Sequence, residues 1–464
     1  MLSRIRAFRR FMLLTFVLLG LLGGSTVAQE LSATDKALLQ ARQDALFQQT
    51  LRDPANLDTA FAYADVSAKL GDNEAAVSAL ERMLLFNPNL PRVQLELGAL
   101  YFRMGSYEIA RTYFDKALTA NPPPEVKERV ETYLGQIDRL NAPQSFTGFV
   151  FMGAQYQSDA NVAPGSPLIS SPVGSVLLDS QFVKGHDQNV FGTGSFLYSY
   201  DLGTQDRDTL EVSGTGFGNR YSRFSRLDLG LAEITAGPRF NYTKPLPYTN
   251  SASLKPYFIT NDVSLGSNQY FHTLGVGAEA SATVLDDVHI KSYFEFRQKN
   301  FEDAPDRPLS RGLNGSDKLF SLFISKPVVL VPQSELSLDF DFLDQDTRLA
   351  FYSNKSYAGA LAYRIRYDDP TRLLHFPWES TVFVSRSWAD YAGPDPCCNT
   401  SPTPGFFSGS DRLDRRWRFG ITQSFQVANN ISLIVQLQRD VVSSNLSLYG
   451  YSSDSILIGP QIRF

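Results

Sequence analysis

From Gln144 to the final residue, Phe464, apolar and polar side chains alternate in segments separated by turn residues. Segments of roughly ten residues with this period are what a strand needs to cross a membrane as part of a closed barrel. Leu336, Leu338, Phe340 and Phe342 interleave with Ser337, Asp339 and Asp341. Tyr357, Leu361, Tyr363, Ile365 and Tyr367 interleave with Ala358, Ala362, Arg364 and Arg366. Trp417, Phe419, Ile421 and Phe425 alternate with Arg416, Arg418, Thr422 and Ser424, and Ile431, Leu433, Val435 and Leu437 with Ser432, Gln436 and Gln438.

A soluble β-sandwich alternates too, so the charged face has to separate the two folds. Arg364, Arg366, Arg416, Arg418, Asp339, Asp341 and Glu295 all stand opposite the apolar face. Against lipid, such a face lines a water-filled lumen. Aromatic residues near the strand ends fit the girdles of membrane barrels. The last strand puts Ile456, Ile458, Pro460, Ile462 and Phe464 on one face, and a terminal Phe there resembles the signal that directs barrels to their insertion machinery.

Fourteen strands are expected, over 147–158, 188–201, 207–221, 226–241, 253–266, 269–284, 287–300, 317–329, 335–347, 355–367, 374–388, 412–427, 430–443 and 453–464. An even count returns both ends of the barrel to one side, so long and short connections should alternate. Residues 159–187, 301–316 and 389–411 are long; 202–206, 285–286, 330–334, 368–373 and 428–429 are short. Residues 242–252, with two prolines, are long where a short connection is due.

Before the barrel, residues 30–141 are helical in pattern. Gly71 and Gly105 are 34 residues apart, as are Ala76 and Ala110, and Pro54, Pro88 and Pro122 keep the same interval. A 34-residue period with these residue types is the tetratricopeptide (TPR) pattern. The second unit is the fuller one, with Leu97, Gly98, Tyr101, Gly105, Ala110, Phe114, Ala117 and Pro122. The first has Tyr63, Ala64, Gly71, Ala76, Leu80 and Pro88. Residues 35–53 read as a preceding helix and 124–140 as a polar cap. Stacked repeats present a concave face. Its candidate residues are Phe61, Asp65, Lys69, Arg92, Leu95, Phe102 and Arg103, and an extended peptide is the expected occupant. A structural spacer or a barrel plug is the alternative.

The N-terminus reads as an export signal. Arg4, Arg6, Arg9 and Arg10 precede an apolar stretch from Phe11 to Leu22, and Thr26-Val27-Ala28 is a small-x-small cleavage site that leaves Gln29 first. At roughly 12 residues the stretch is short for a membrane anchor. The expected organisation is therefore α + β and multidomain: a signal peptide over 1–28, a TPR-like periplasmic helical domain over 29–143, and a transmembrane antiparallel barrel of about 14 strands over 144–464 in the outer membrane.

Catalytic patterns are lacking. His186, His272, His289 and His375 are scattered, with no metal-ligand spacing. Gly275-Val276-Gly277 imitates a dinucleotide fingerprint, but it sits in an alternating segment. The net charge of -5 argues against nucleic acid as a partner. Cys397 and Cys398 are adjacent and build no disulfide framework. No enzyme activity, metal or cofactor is expected. In the barrel, Asp339 and Asp341 are on the strand beside that of Arg364 and Arg366, and Glu379 on the strand beside that of Arg416 and Arg418. These lumen charges read either as an ion-pair lattice or as a surface for a passing polymer.

A signal peptide, a short TPR domain and a C-terminal barrel of about fourteen strands resemble, over nearly the whole mature chain, the surface lipoprotein assembly modifier (Slam) family. That family's barrel opens with a motif like D-S-N-x-N-x-A-P. Here the stretch is Gln157-Ser158-Asp159-Ala160-Asn161-Val162-Ala163-Pro164. Ser158, Asn161, Ala163 and Pro164 match; Gln157 and Asp159 depart. The resemblance implies delivery of lipoproteins or small secreted proteins to the cell surface. The partners would be the client, outer-membrane lipid and the barrel-assembly machinery. The client's path would be the lumen or a seam between the first and last strands. An exopolysaccharide export porin and a plain solute porin are the competing readings.

Overall fold

The computed structural model describes residues 33–464 except 54–55, 120–121, 141, 172–173, 180–181, 243–247, 286, 373–375 and 395–410. The export segment, Pro54, His375 and the two cysteines lie outside the described residues. The chain divides into a helical unit ending at Pro143 and a strand unit from Gln144 to Phe464.

Six helices form the first unit: α1 (Ala33–Arg52), α2 (Leu57–Leu70), α3 (Asn73–Phe86), α4 (Pro91–Arg103), α5 (Tyr107–Thr119) and α6 (Pro124–Leu140). The helix ends follow local chemistry. Asn56 and Asp72 cap α2 and α3 by accepting from the backbone N–H of Thr59 and Ala75. Gly71 and Gly105 take the left-handed conformation that ends α2 and follows α4. The 34-residue interval between these glycines thus sets equivalent turns. Ala76 and Ala110 are fully buried between paired helices, as are Leu97 and Phe114.

Gly98 explains itself by what a side chain there would meet. A Cβ would stand 2.5 Å from Cε1 of Phe114, whose ring is enclosed and has nowhere to go. Gly98→Ala is therefore expected to destabilise the helical unit by about 1–3 kcal/mol. A thermal melt of the full chain followed by circular dichroism at 222 nm reads the shift in the helical transition. An unshifted transition would mean that α4 and α5 can separate freely.

The second unit is a closed antiparallel barrel. Its fourteen strands are β1 (Gln144–Gln157), β4 (Asp187–Asp201), β5 (Thr209–Tyr221), β6 (Leu229–Tyr242), β7 (Thr249–Leu265), β8 (Asn268–Val284), β9 (Val288–Phe301), β10 (Gly315–Pro327), β11 (Ser334–Thr347), β12 (Asn354–Tyr367), β13 (Trp378–Pro394), β14 (Asp411–Ala428), β15 (Ile431–Ser444) and β16 (Tyr451–Arg463). β1 pairs with both β4 and β16 and so closes the cylinder. A small hairpin, β2 (Leu168–Ser171) and β3 (Gly174–Leu177), stands in the first long connection. Among the described residues no helix is long and apolar enough to cross a membrane.

All fourteen expected strands have a counterpart, with ends that move by a few residues. The connection expected at 242–252 is shorter. β7 begins at Thr249 rather than at 253, so its connection to β6 shortens to residues 243–248. Short turns sit at the end where β1 starts and β16 finishes, here the terminus end. Several of them hold a left-handed residue, namely Arg207, Tyr248, Leu285, Gln333 and Arg372. At the opposite, loop end, Gly266 and Ser267 make a two-residue turn with both φ positive, the geometry that matches strand twist.

Alternation places the apolar residues outside. Val382, Phe419, Ile421, Leu437 and Ile458 are exposed on the outer wall, while Thr381, Arg418, Gln438 and their neighbours are buried inside. Phe464 faces outward, stacked on Phe146, which in turn stacks on Phe196.

Two lapses in the hydrogen-bond ladder involve prolines. Between β1 and β16 it skips Met152 and Gly153 opposite Gly459 and Pro460. Between β6 and β7 it is absent from Gly237 to Arg239 opposite Lys255 to Tyr257. Pro238, Pro256 and Pro460 each lack a backbone donor, which removes rungs from the ladder.

Candidate functional site: a charged lumen, its apolar mouth and the helical groove

Inside the barrel, side chains from alternate positions form ion pairs across neighbouring strands. Glu211 of β5 accepts from Arg239 of β6 at 2.7 Å and from Lys255 of β7 at 2.8 Å. Arg239 also donates to Ser253 and to Glu279 of β8. This network lies where Pro238 and Pro256 interrupt the ladder, so side chains bridge β6 and β7 where the backbone does not. Nearer the loop end, Arg297 bridges Glu295 and Glu233, and Tyr257 donates to Glu295 at 2.7 Å. Lys299 pairs with Asp317, both buried.

On the far wall Asp440 of β15 accepts from Arg416 at 2.7 Å and from Arg418 at 3.1 Å, both on β14. Two expected partnerships are corrected here. Arg416 and Arg418 pair with Asp440, not Glu379. Strand register is the reason: Glu379 lies opposite Ser424, well below both arginines. Likewise Arg364 pairs with Glu335, which lies opposite it, whereas Asp339 and Asp341 lie opposite Ala360 and Ala358. Asp341 instead accepts from Ser321. Glu379, Arg364 and Arg366 lie within electrostatic range of Arg463 near the terminus end. No sequence signal identified Asp440, Glu335 or Glu211 as partners, because the pairings depend on register.

The loop end of the lumen is not polar throughout. Leu229, Val263, Leu265, Tyr270, Phe271, Phe301, Leu313 and Tyr352 form one buried cluster. They come from the loop ends of β6 to β9 and from the connections 302–314 and 348–353. Arg307 pins the first of these connections. It donates to the carbonyl of Leu265 at 2.8 Å and stacks on Tyr270. Across the mouth, the Arg412 guanidinium lies over the rings of Tyr391 and Tyr449.

The stretch after β1 forms a buried elbow at the same end. Asn161 donates to the carbonyl of Val183 at 2.7 Å and accepts from the backbone N–H of Gly185. Lys184 N–H donates to the carbonyl of Pro164, and Ala163 is fully buried. Ser158 accepts from the N–H of Asp454, and Asp159 N–H donates to Ser453. The elbow therefore ties β1 to β16. Asp159, a departure from the family-like motif, is 1% exposed and accepts from the N–H of Ala163, which closes the turn. At the terminus end, Gly148 and Phe464 exchange two backbone hydrogen bonds.

In the helical unit the candidate groove residues divide. Arg92 lies over the Phe61 ring at 4.5 Å, and Asp65 pairs with Lys69 at 2.7 Å. These and Arg103 are exposed or half-buried. Leu95 is corrected to a core residue. It is 4% exposed, in a cluster with Ala110, Phe114, Val130 and Ile137. Phe102 is likewise packed between Tyr107 and Tyr133. The reason is α6, which covers the faces of α4 and α5 that an isolated repeat would leave open. Glu81 of α3 accepts from Tyr101 at 2.7 Å and from Tyr113 at 3.2 Å. Burial and this carboxylate push the Tyr101 hydroxyl up to about 12, so it stays a donor at neutral pH.

His272 and His289 each contact one neighbour, Asn300 and Thr283. Gly275 and Gly277 lie within β8, which runs into β9 through a turn.

These features define a class: a β-barrel with a polar, ion-paired lumen and an apolar outer wall, preceded by a TPR-type helical unit. The tetratricopeptide repeat family matches residues 91–124. Among solved structures, MamA is 19% identical, covering 23% of this chain and 60% of that one, with a TM-score of 0.21. The Yersinia enterocolitica type III secretion chaperone SycD with a peptide of the translocator YopD is 15% identical, covering 23% and 83%, with a TM-score of 0.21. An anion-selective porin from Comamonas acidovorans is 10% identical, covering 69% of this chain and 99% of that one, with a TM-score of 0.34. The chain spans 60% of the MamA structure. No curated protein sequence matches it.

Proposed function

We propose that this chain is an outer-membrane translocator that helps deliver surface lipoproteins or small secreted proteins to the cell surface. The observation that carries the reading is the direct joining of a TPR-type unit to a barrel with a polar lumen. Only a few residues separate α6, ending at Leu140, from β1, starting at Gln144. An even number of strands leaves both barrel ends on one side of the membrane, the periplasmic side in this reading. The helical unit receives the client there through Phe61, Arg92, Asp65, Lys69 and Arg103. The lumen is the favoured path, because the β1–β16 seam is tied at both ends, by Gly148–Phe464 and by Ser158–Asp454. Outer-membrane lipid surrounds the wall, and the barrel-assembly machinery reads the strand that ends in Phe464.

The test is deletion of the gene followed by protease shaving of intact cells. One or a few lipoproteins or secreted proteins should vanish from the surface and accumulate in the periplasm. Complementation with Lys69→Glu, Arg92→Glu and Arg103→Glu together should lower client display on the order of tenfold, equivalent to about 1.4 kcal/mol of binding. Unchanged protein display with loss of surface polysaccharide would transfer the assignment to sugar export.

A further inference from the structure

Near the loop end, the residues on the outer wall change from apolar to charged. On β13, Val382 and Val384 are followed by Arg386. On β14, Arg415 precedes Trp417, Phe419 and Ile421. Register sets these side by side: Arg386 is opposite Trp417, and Trp388 is opposite Arg415.

The Arg386 guanidinium lies between two indoles, 4.7 Å from the ring centre of Trp388 and 4.6 Å from that of Trp417. Its Nε has no hydrogen-bond partner. Among the described residues neither Arg386 nor Arg415 forms a salt bridge, unlike the neighbouring Arg439, which pairs with Asp454 at 3.6 Å. Asp390 also faces outward here and pairs with neither arginine. Below the arginines the wall has a shallow apolar groove lined by Leu361, Val382, Val384, Phe419 and Ile421.

An arginine on a lipid-facing wall is costly without a counter-charge. Here it lies against two indole rings, beside a second arginine, where the outer wall turns from apolar to charged. Guanidinium groups match phosphate oxygens with paired donors. We propose that Arg386 and Arg415, framed by Trp388 and Trp417, bind the phosphate of an anionic lipid in the outer leaflet, with an acyl chain in the groove below. The inference rests on the outer-membrane reading. A glycolipid such as lipid A and a phospholipid such as phosphatidylglycerol share this chemistry.

The test uses the full chain, purified in detergent, with heat-modifiable migration and recovery in the outer-membrane fraction checked first. If either check fails, the outer-membrane reading falls, and this site falls with it. With both satisfied, lipid retained after exchange is measured by native mass spectrometry against lipid A, phosphatidylglycerol and phosphatidylcholine. Lipid A or phosphatidylglycerol should be retained at least tenfold over phosphatidylcholine, and whichever is held better identifies the source. Arg386→Ala with Arg415→Ala should remove that preference while leaving heat-modifiable migration intact. Arg439→Ala, a basic residue already paired, should leave it unchanged. Equal retention of all three lipids, or a preference that survives the double substitution, overturns the proposal.

Discussion

Glu211→Ala is expected to lower the temperature at which the folded barrel loses its fast gel migration by more than any single substitution on the outer wall. Glu211 is the acceptor shared by Arg239 and Lys255, and all three are largely buried. Removing it leaves Lys255 without a salt-bridge partner among the described residues. Breaking a buried pair from one side costs about 3–5 kcal/mol, because the remaining charge stays out of water. The position aggravates the loss. From Gly237 to Arg239 the β6–β7 ladder makes no rungs, so little backbone bonding stands in reserve. Asp344→Ala on the outer face of β11 serves as the comparison. The two are read by unboiled migration after graded heating; equal melting would show that the lumen network does not hold this part of the wall together.

The second large effect is expected at the mouth. Phe271 and Phe301 lie opposite each other at the loop ends of β8 and β9, with ring centres 4.6 Å apart. They anchor the cluster that includes Tyr270, Leu313 and Tyr352. Substituting both with alanine removes about 3–5 kcal/mol of packing for each ring. The ladder below them persists, so the wall should remain while the mouth loosens. Single-channel conductance in planar bilayers should rise several-fold, and cells should admit larger antibiotics. Unchanged conductance would mean that this cluster does not limit passage.

The strand count, the apolar outer wall and the polarity of the lumen were all legible in the chain. A period of two is imposed by strand geometry, and an apolar outer face opposite a polar inner face makes the pattern visible. The TPR turns were equally plain, because Gly71 and Gly105 occupy a backbone conformation that few other residues tolerate. Asp159 was harder to read. It departs from the family-like motif, yet it supplies the acceptor that closes the elbow, and only folding brings it to Ala163.

What the sequence by itself determined, then, is local: which residues face which way, where helices end, and how long each connection is. What tertiary structure decided is partnership. Asp440 rather than Glu379 meets Arg416, and Glu335 rather than Asp339 meets Arg364, because register and strand tilt set which positions are level. Leu95 became core, and Phe102 packed against it, because α6 packs over them. The lone Arg386 between two tryptophans likewise exists only once β13 and β14 are aligned. Periodicity is carried by one strand or helix alone, whereas register and packing belong to pairs of them.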